Sequence, residues 1–171
     1  MTTWFAQFAE RNFDTLLPRT PMDVLQIGVY EGDASRWLLD NRAVTRLVDV
    51  DCWDGPPMSG VDYEAAEGIY DAAIGGHPLV EKVKSTSDEF FKTNTDTFDF
   101  VYVDGDHDPQ QTYRDGINGW AVLRPGGLIG FDDYLWQHNG VSPKSGIDAV
   151  LSEMEDAEVV QHGYQVWLRK P

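Results

Sequence analysis

The apolar positions of this chain fall into short runs that alternate with segments of helical spacing. Val24-Leu25-Gln26-Ile27-Gly28-Val29, Arg46-Leu47-Val48-Asp49-Val50-Asp51, Leu79–Lys84, Phe98-Asp99-Phe100-Val101-Tyr102-Val103 and Leu128-Ile129-Gly130-Phe131 read as strands. Each is a β-branched or aromatic run bounded by turn formers or acids. Phe98–Val103 has almost no polarity, as expected of a strand covered on both faces, whereas Leu79–Lys84 is more polar and belongs nearer an edge. Between these runs, Ala34, Trp37 and Leu38, residues 62–73, the stretch after Thr86, Tyr113, Ile117 and Trp120, and Ile147, Val150, Leu151 and Met154 carry helical spacing. Thr86 and Glu89 have the spacing of a capping box, Pro109 suits a first helical turn, and Ser145-Gly146-Ile147-Asp148 is expected to cap the last helix. Residues 2–17, with Trp4, Phe5, Phe8, Phe13, Leu16 and Leu17, predict an amphipathic helix closed by Pro18 and Pro21. Glu158–Gln161 and Gln165–Leu168 flank His162-Gly163 as a β-hairpin.

Strands alternating with helices, then an antiparallel pair, imply an α/β sandwich around a mainly parallel sheet. The length of 171 residues suits one domain, an N-terminal helix over 1–20 followed by a core over 22–171. The acidic residues number 29 against 13 basic ones, a formal charge of −16. Such a surface repels phosphates, so nucleic acid is not the expected partner. The single Cys52 excludes an internal disulfide and a cysteine-built zinc site. Met1–Phe5 shows no basic region or long apolar run, and no stretch of about 18 apolar residues occurs. The expectation is a cytoplasmic protein with no membrane partner.

The chemistry gathers at strand ends. Phe98–Val103 stops at Asp104-Gly105-Asp106-His107, and Leu128–Phe131 stops at Asp132-Asp133. Ligands of open α/β sheets bind outside the carboxyl ends of the strands. If those two strands are neighbours, three or four acids converge there. The first strand runs into Gly28-Val29-Tyr30-Glu31-Gly32, a glycine turn before a helix, as in nucleotide-binding βαβ units. Asp51 ends the second strand about 20 residues later, where such units place the acid that holds ribose hydroxyls. Asp49 lies on the same face, and the end position favours Asp51. Trp53 is read either as a stacking platform or as an anchor for the Cys52–Gly60 loop. The 134–146 loop, with Trp136, His138, Asn139 and Lys144, is of the kind that lines a substrate mouth.

Taken in order, VLQIGVYEG, the strand ending in Asp51, FDFVYVDGDH and LRPGGLIGFDDY resemble class I S-adenosylmethionine-dependent methyltransferases, and more narrowly the short branch with DGDH and DDY motifs. The resemblance covers roughly residues 22–170. It implies a Rossmann-like three-layer sandwich with a seven-stranded sheet whose last strand is antiparallel. It puts Gly28 and Gly32 against the methionine part of the cofactor, Asp51 on the ribose and Ser87 near the adenine. The branch also resembles metal-dependent O-methyltransferases of small molecules and sugars. By that likeness Asp104, Asp132 and Asp133 are the ligands of a divalent cation, Mg²⁺ first with Mn²⁺ or Ca²⁺ as alternatives, and Asp104 borders the cofactor as well. His107 then holds the general-base position. One position departs from the family: the first strand usually carries an acid ahead of its first glycine, and here stands Gln26, which hydrogen-bonds without adding negative charge near the sulfonium.

These readings imply a metal-assisted O-methyltransferase for a small hydroxylated molecule, with a possible homodimer completing specificity. Two alternatives stay open on the residues alone. Asp104-Gly105-Asp106 also spells the DxD of metal-dependent glycosyltransferases, and a non-catalytic binding module would need no site at all.

Overall fold

The protein is described by a computed structural model covering residues 3–55 and 61–171. Thr2 of the expected first helix and residues 56–60 of the expected loop lie outside the described residues. Seven strands, β1 (Met22–Ile27), β2 (Val44–Asp51), β3 (Val80–Lys84), β4 (Phe98–Val103), β5 (Leu123–Phe131), β6 (Glu158–His162) and β7 (Val166–Arg169), form one sheet in the order β3-β2-β1-β4-β5-β7-β6. β3, β2, β1, β4 and β5 pair in parallel. β7 runs antiparallel to β5 and β6. The polar β3 is an edge strand, as its composition requires, and β1 and β4, each buried at all but one position, lie inside the sheet.

Side chains alternate across the pleat, so each strand feeds two cores. Leu25, Val48, Val101, Val103, Ile129 and Phe131 face one side, against α5 (Ser87–Thr93), α6 (Pro109–Val122) and α7 (Lys144–Glu153). Val24, Leu47, Phe100, Tyr102 and Trp167 face the other, against α1 (Trp4–Phe8), α2 (Glu10–Leu16) and α3 (Asp33–Asn41). A smaller cluster of Val29, Trp53, Ala66, Tyr70 and Ile74 seats α4 (Tyr63–Ala73) beside the glycine turn. The result is the three-layer Rossmann-like sandwich. Among the described residues no helix is long and apolar enough to cross a membrane.

Three local expectations change. The N-terminal helix breaks at Ala9 (φ −110°) into α1 and α2. Phe13, on α2, packs into the sheet face, and Phe8, at the end of α1, stacks on Tyr164 with ring centroids 4.7 Å apart. Arg124-Pro125-Gly126-Gly127, ahead of the expected Leu128–Phe131 strand, lies inside the longer β5 as an irregularity, the register passing from Phe98↔Leu123 to Phe100↔Leu128. Gly126, at φ +78°, supplies the left-handed residue that this excursion needs. The last helix starts at Lys144 after Pro143, and Ser145 does not cap it.

Phe13 knits the N-terminal helices to the sheet. It is fully buried and meets Phe100, Tyr102 and Trp167 edge-on, with centroids 5.6, 4.8 and 5.4 Å away. Truncation would leave a cavity lined by rigid rings that cannot collapse. Phe13→Ala is expected to lower unfolding free energy by about 3–5 kcal/mol, measured by urea denaturation.

Candidate active site

The turn after β1 meets the end of β4 backbone to backbone. Gly28 has φ +82°, and a Cβ there would overlap the carbonyl of Asp104 and stand 2.6 Å from Gly105 Cα. The strand ends are locked together by Gly28 N–H to Val50 O (2.9 Å), Asp104 N–H to Ile27 O (2.8 Å) and Asp132 N–H to Val103 O (3.0 Å). The glycine is thus demanded first by the neighbouring strand. Gly32, also at φ +82°, is demanded by Tyr70 and Ile74 of the adjoining segment, which a Cβ would strike at 2.8 and 2.7 Å.

Asp51 sits at the end of β2, as expected, and folds the turn around itself. Its Oδ2 accepts the N–H groups of Val29 (2.7 Å) and Tyr30 (2.9 Å), and its Oδ1 accepts that of Trp53 (2.7 Å). A carboxylate offers about four acceptor directions, so one remains on Oδ1 for a ligand hydroxyl. Trp53 is an anchor: it is buried, its indole N–H donates to Tyr30 O (2.8 Å), and Lys82 caps its ring face at 4.7 Å.

Beneath the turn lies a polar group that the sequence reading left unassigned. Gln26 donates through Nε2 to Gly28 O (3.0 Å). Ser35 Oγ lies 3.0 Å from both Gln26 Oε1 and Asp49 Oδ1. The phenol of Tyr70 donates to Asp49 Oδ2 (2.9 Å). Gln26 therefore serves the turn's architecture.

The neighbouring ends of β4 and β5 bring the acids together as the sequence pattern requires. Asp104, His107 and Asp133 offer ligand atoms that all lie within 4.8 Å of one another. Asp133 takes a left-handed backbone (φ +58°), which turns its side chain toward His107. Asp133 Oδ2 is 2.9 Å from His107 Nε2, and its Oδ1 accepts the phenol of Tyr164 (2.6 Å). Trp136 stacks on the His107 ring at 4.2 Å, holding its plane. Asp132, placed among the metal ligands by the resemblance, accepts the Tyr102 phenol on Oδ2 (2.6 Å) and the N–H of Asp133 on Oδ1 (2.8 Å), which leaves one acceptor direction on each oxygen. Asp132 is not one of the three residues whose ligand atoms converge within 4.8 Å, and His107 is.

Among the described residues, Asp104, Asp132 and Asp133 are crowded with no lysine or arginine paired to them. Burial pushes the Asp104 carboxyl well above its ordinary range, and the charges of Asp132, Asp133 and Asp51 add to that. Asp132 is raised by burial and by Asp133, against hydrogen bonds from Tyr102 and the backbone. A divalent cation would relieve this repulsion. The carboxylates of Asp104 and Asp133 are hard oxygen donors, suited to Mg²⁺ or Mn²⁺.

Ser87 does not open its helix by capping, since Thr86 does so through Glu89 N–H (3.3 Å). Its hydroxyl instead accepts from Gln111 Nε2 (3.1 Å), which also donates to Oδ1 of the buried Asp115 (2.9 Å). Asp115 Oδ2 lies 3.8 Å from the position of a Cβ on Gly105, so this polar trio adjoins the end of β4. Burial lifts Asp115 to about 6, against the hydrogen bonds from Ser87 and Gln111. Gln111 and Asp115 sit at i and i+4 on α6, a spacing that could have flagged them. Tyr102, Tyr164 and Ser35 left no comparable signal, because their roles arise from contacts between distant segments.

Residues 25–134 match the family described as "Methyltransferase domain", a span running from β1 to the residue after Asp133. Caffeoyl-CoA O-methyltransferase 2 of Zea mays is 43% identical over 47 residues, covering 28% of this chain and 17% of that protein. The aligned part is thus under a fifth of the maize protein. Among solved structures, the N-methyltransferase NodS from Bradyrhizobium japonicum WM9 superimposes with a TM-score of 0.64 at 18% identity, over 96% of this chain and 93% of that one. The O-methyltransferase from Bacillus cereus in complex with SAH gives 0.57 at 19% identity, over 86% and 74%. At these identities the structural likeness speaks for the fold.

Gly28→Ala is expected to destabilise the fold by about 2–5 kcal/mol, combining a left-handed backbone with overlap onto Asp104. Comparison of urea midpoints with the wild-type protein measures it.

Proposed function

Because the chain belongs to the methyltransferase domain family, we propose that it transfers a methyl group from S-adenosylmethionine to a hydroxyl oxygen of a small molecule, with a divalent cation at the acidic cluster. The observation that carries this reading is the convergence of Asp104, Asp133 and His107 within 4.8 Å beside the glycine turn. The local likeness to the maize O-methyltransferase and the SAH-bound Bacillus cereus structure support the donor and the oxygen acceptor.

The residues fit that donor. Asp51 keeps one acceptor direction for a ribose hydroxyl while its other three hold the turn in shape. Asp104 and Asp51 flank Gly28, and a sulfonium bound there would favour the ionised form of Asp104. Ser87, Gln111 and Asp115 present hydroxyl, amide and carboxyl groups next to Gly105, where an adenine edge would find both donors and acceptors.

Displacement at a sulfonium methyl needs the attacking oxygen, the carbon and the sulfur in line, and an oxygen close to deprotonated. A phenol ionises near about 10 and an aliphatic hydroxyl higher, so a base is required at neutral pH. Asp133 accepts from His107 Nε2–H, which leaves the lone pair of Nδ1 to take the acceptor's proton. Tyr164 and Trp136 hold the two partners in that orientation. A hard cation bound by Asp104 and Asp133 supplies Lewis-acid charge that lowers the hydroxyl's pKa.

The 2.9 Å contact between His107 and Asp133 also favours a second reading, in which the pair works as an oriented base without metal. The two readings part on chelation.

Calorimetric titration with S-adenosylhomocysteine is expected to show binding. With a panel of phenolic and sugar hydroxyl acceptors, His107→Ala is expected to lower kcat/KM by roughly 100-fold to 10,000-fold while sparing that binding. Asp104→Asn or chelation is expected to abolish turnover, with Mg²⁺ or Mn²⁺ restoring the chelated wild-type enzyme. Full activity in chelator selects the metal-free pair, and absence of S-adenosylhomocysteine binding overturns the donor assignment.

A further inference from the structure

Asp49 is a fully buried acid that the proposed chemistry does not use. It faces Gln26 across the β1–β2 pair, Ser35 on α3, and Tyr70 on α4. Asp51 lies two residues along its own strand. Lys82, its register partner on β3, sends its ammonium over the Trp53 and Tyr70 rings to Glu67 and Asp71 of α4. The carboxyl thus meets the hydroxyls of Ser35 and Tyr70, while the Lys82 ammonium is spent on other acids.

Counting hydrogens settles its state. Gln26 must present Nε2 to Gly28 O, because the flipped amide would set two acceptors against each other. Gln26 Oε1 therefore faces Ser35 Oγ and needs a donor. Ser35 has one hydroxyl hydrogen and two acceptors at 3.0 Å, Gln26 Oε1 and Asp49 Oδ1. If Asp49 is ionised, one of these buried acceptors goes without a hydrogen. If Asp49 carries a proton on Oδ1, the chain closes: Asp49 donates to Ser35, Ser35 to Gln26, Gln26 to the Gly28 carbonyl, and Tyr70 to Asp49 Oδ2.

We propose that Asp49 is a positioning residue that acts as the neutral acid, its proton wired through Ser35 and Gln26 to the Gly28 carbonyl, so that ionisation loosens the glycine turn. The part that concerns cofactor binding rests on the reading above. The hydrogen count does not.

The electrostatics agree in direction. Burial is the main cause that lifts Asp49 to about 7, the charge of Asp51 adds, and the hydrogen bonds from Ser35 and Tyr70 oppose. Between the ordinary carboxylate range and that value the folded chain keeps a proton that the unfolded chain has released. Stability therefore falls as pH rises through this window and is level above it. Asn at this position mimics the protonated acid, since its amide donates to Ser35 and its carbonyl accepts from Tyr70.

The test compares wild type, Asp49→Asn and Asp49→Ala. Asp49→Asn is expected to gain on wild type by about 5 °C in melting temperature between pH 5.5 and pH 8, whereas Asp49→Ala melts below both throughout. A carboxyl carbon signal titrating near neutrality, absent from Asp49→Asn, is expected in the wild-type NMR spectrum. S-adenosylhomocysteine affinity of the wild type is expected to fall at least threefold from pH 6 to pH 8.5, with Asp49→Asn unchanged. Parallel melting of wild type and Asp49→Asn, or an Asp49→Asn protein less stable at every pH, overturns the assignment. Equal loss of affinity in both overturns the link to the turn. No binding by either, with the melting divergence intact, overturns the cofactor reading and leaves Asp49 as assigned.

Discussion

The backbone contact between Gly28 and Asp104 governs the rest of the molecule. Because no Cβ intervenes, the turn after β1 lies directly on the end of β4, and the two central strands finish level. β2 finishes beside β1 and β5 beside β4, so the side chains just past each strand end share one crevice. Asp51, Asp104, Asp132 and Asp133 are gathered by that registration alone. A displaced turn would scatter them.

Gathering acids carries an electrostatic cost, and hydroxyl groups rather than cations meet it. Asp132 accepts from the phenol of Tyr102, and Asp133 from that of Tyr164. Neutral donors satisfy a carboxyl without cancelling its charge, so the site stays electronegative. That suits both a sulfonium donor and a divalent cation. The same choice leaves Asp49 and Asp104 with raised pKa values, since burial acts on each with no cation in compensation.

The N-terminal helices reach this site by two routes. Phe8 stacks on Tyr164, which donates to Asp133, which holds His107. Asn12 donates to Gln165 Oε1 (2.7 Å), and Gln165 Nε2 donates to the Tyr102 phenol (2.9 Å), which holds Asp132. The break at Ala9 falls between them, with Phe8 ending α1 and Phe13 buried from α2. Packing at the amino terminus is thereby tied to the orientation of the candidate base.

Read alone, the chain determined its strands, their parallel alternation with helices, the polar edge strand and the convergence of acids at the ends of β4 and β5. These are local or periodic properties: an apolar run of period two, a glycine turn, an acid where the backbone leaves the sheet. The motifs of residues 22–170 likewise pointed to the family that the match over 25–134 shows. What only the tertiary structure decided was the use of each group. Asp132 turns to Tyr102, thirty residues away, and His107 joins Asp104 and Asp133. Trp53 packs into the core, and Ser87 serves Gln111 and Asp115. Gln26, a departure in the sequence, becomes one link in a buried relay to Asp49. A carboxylate's or amide's role depends on which donors the fold brings within about 3 Å, and sequence spacing carries no record of a partner that arrives from another strand.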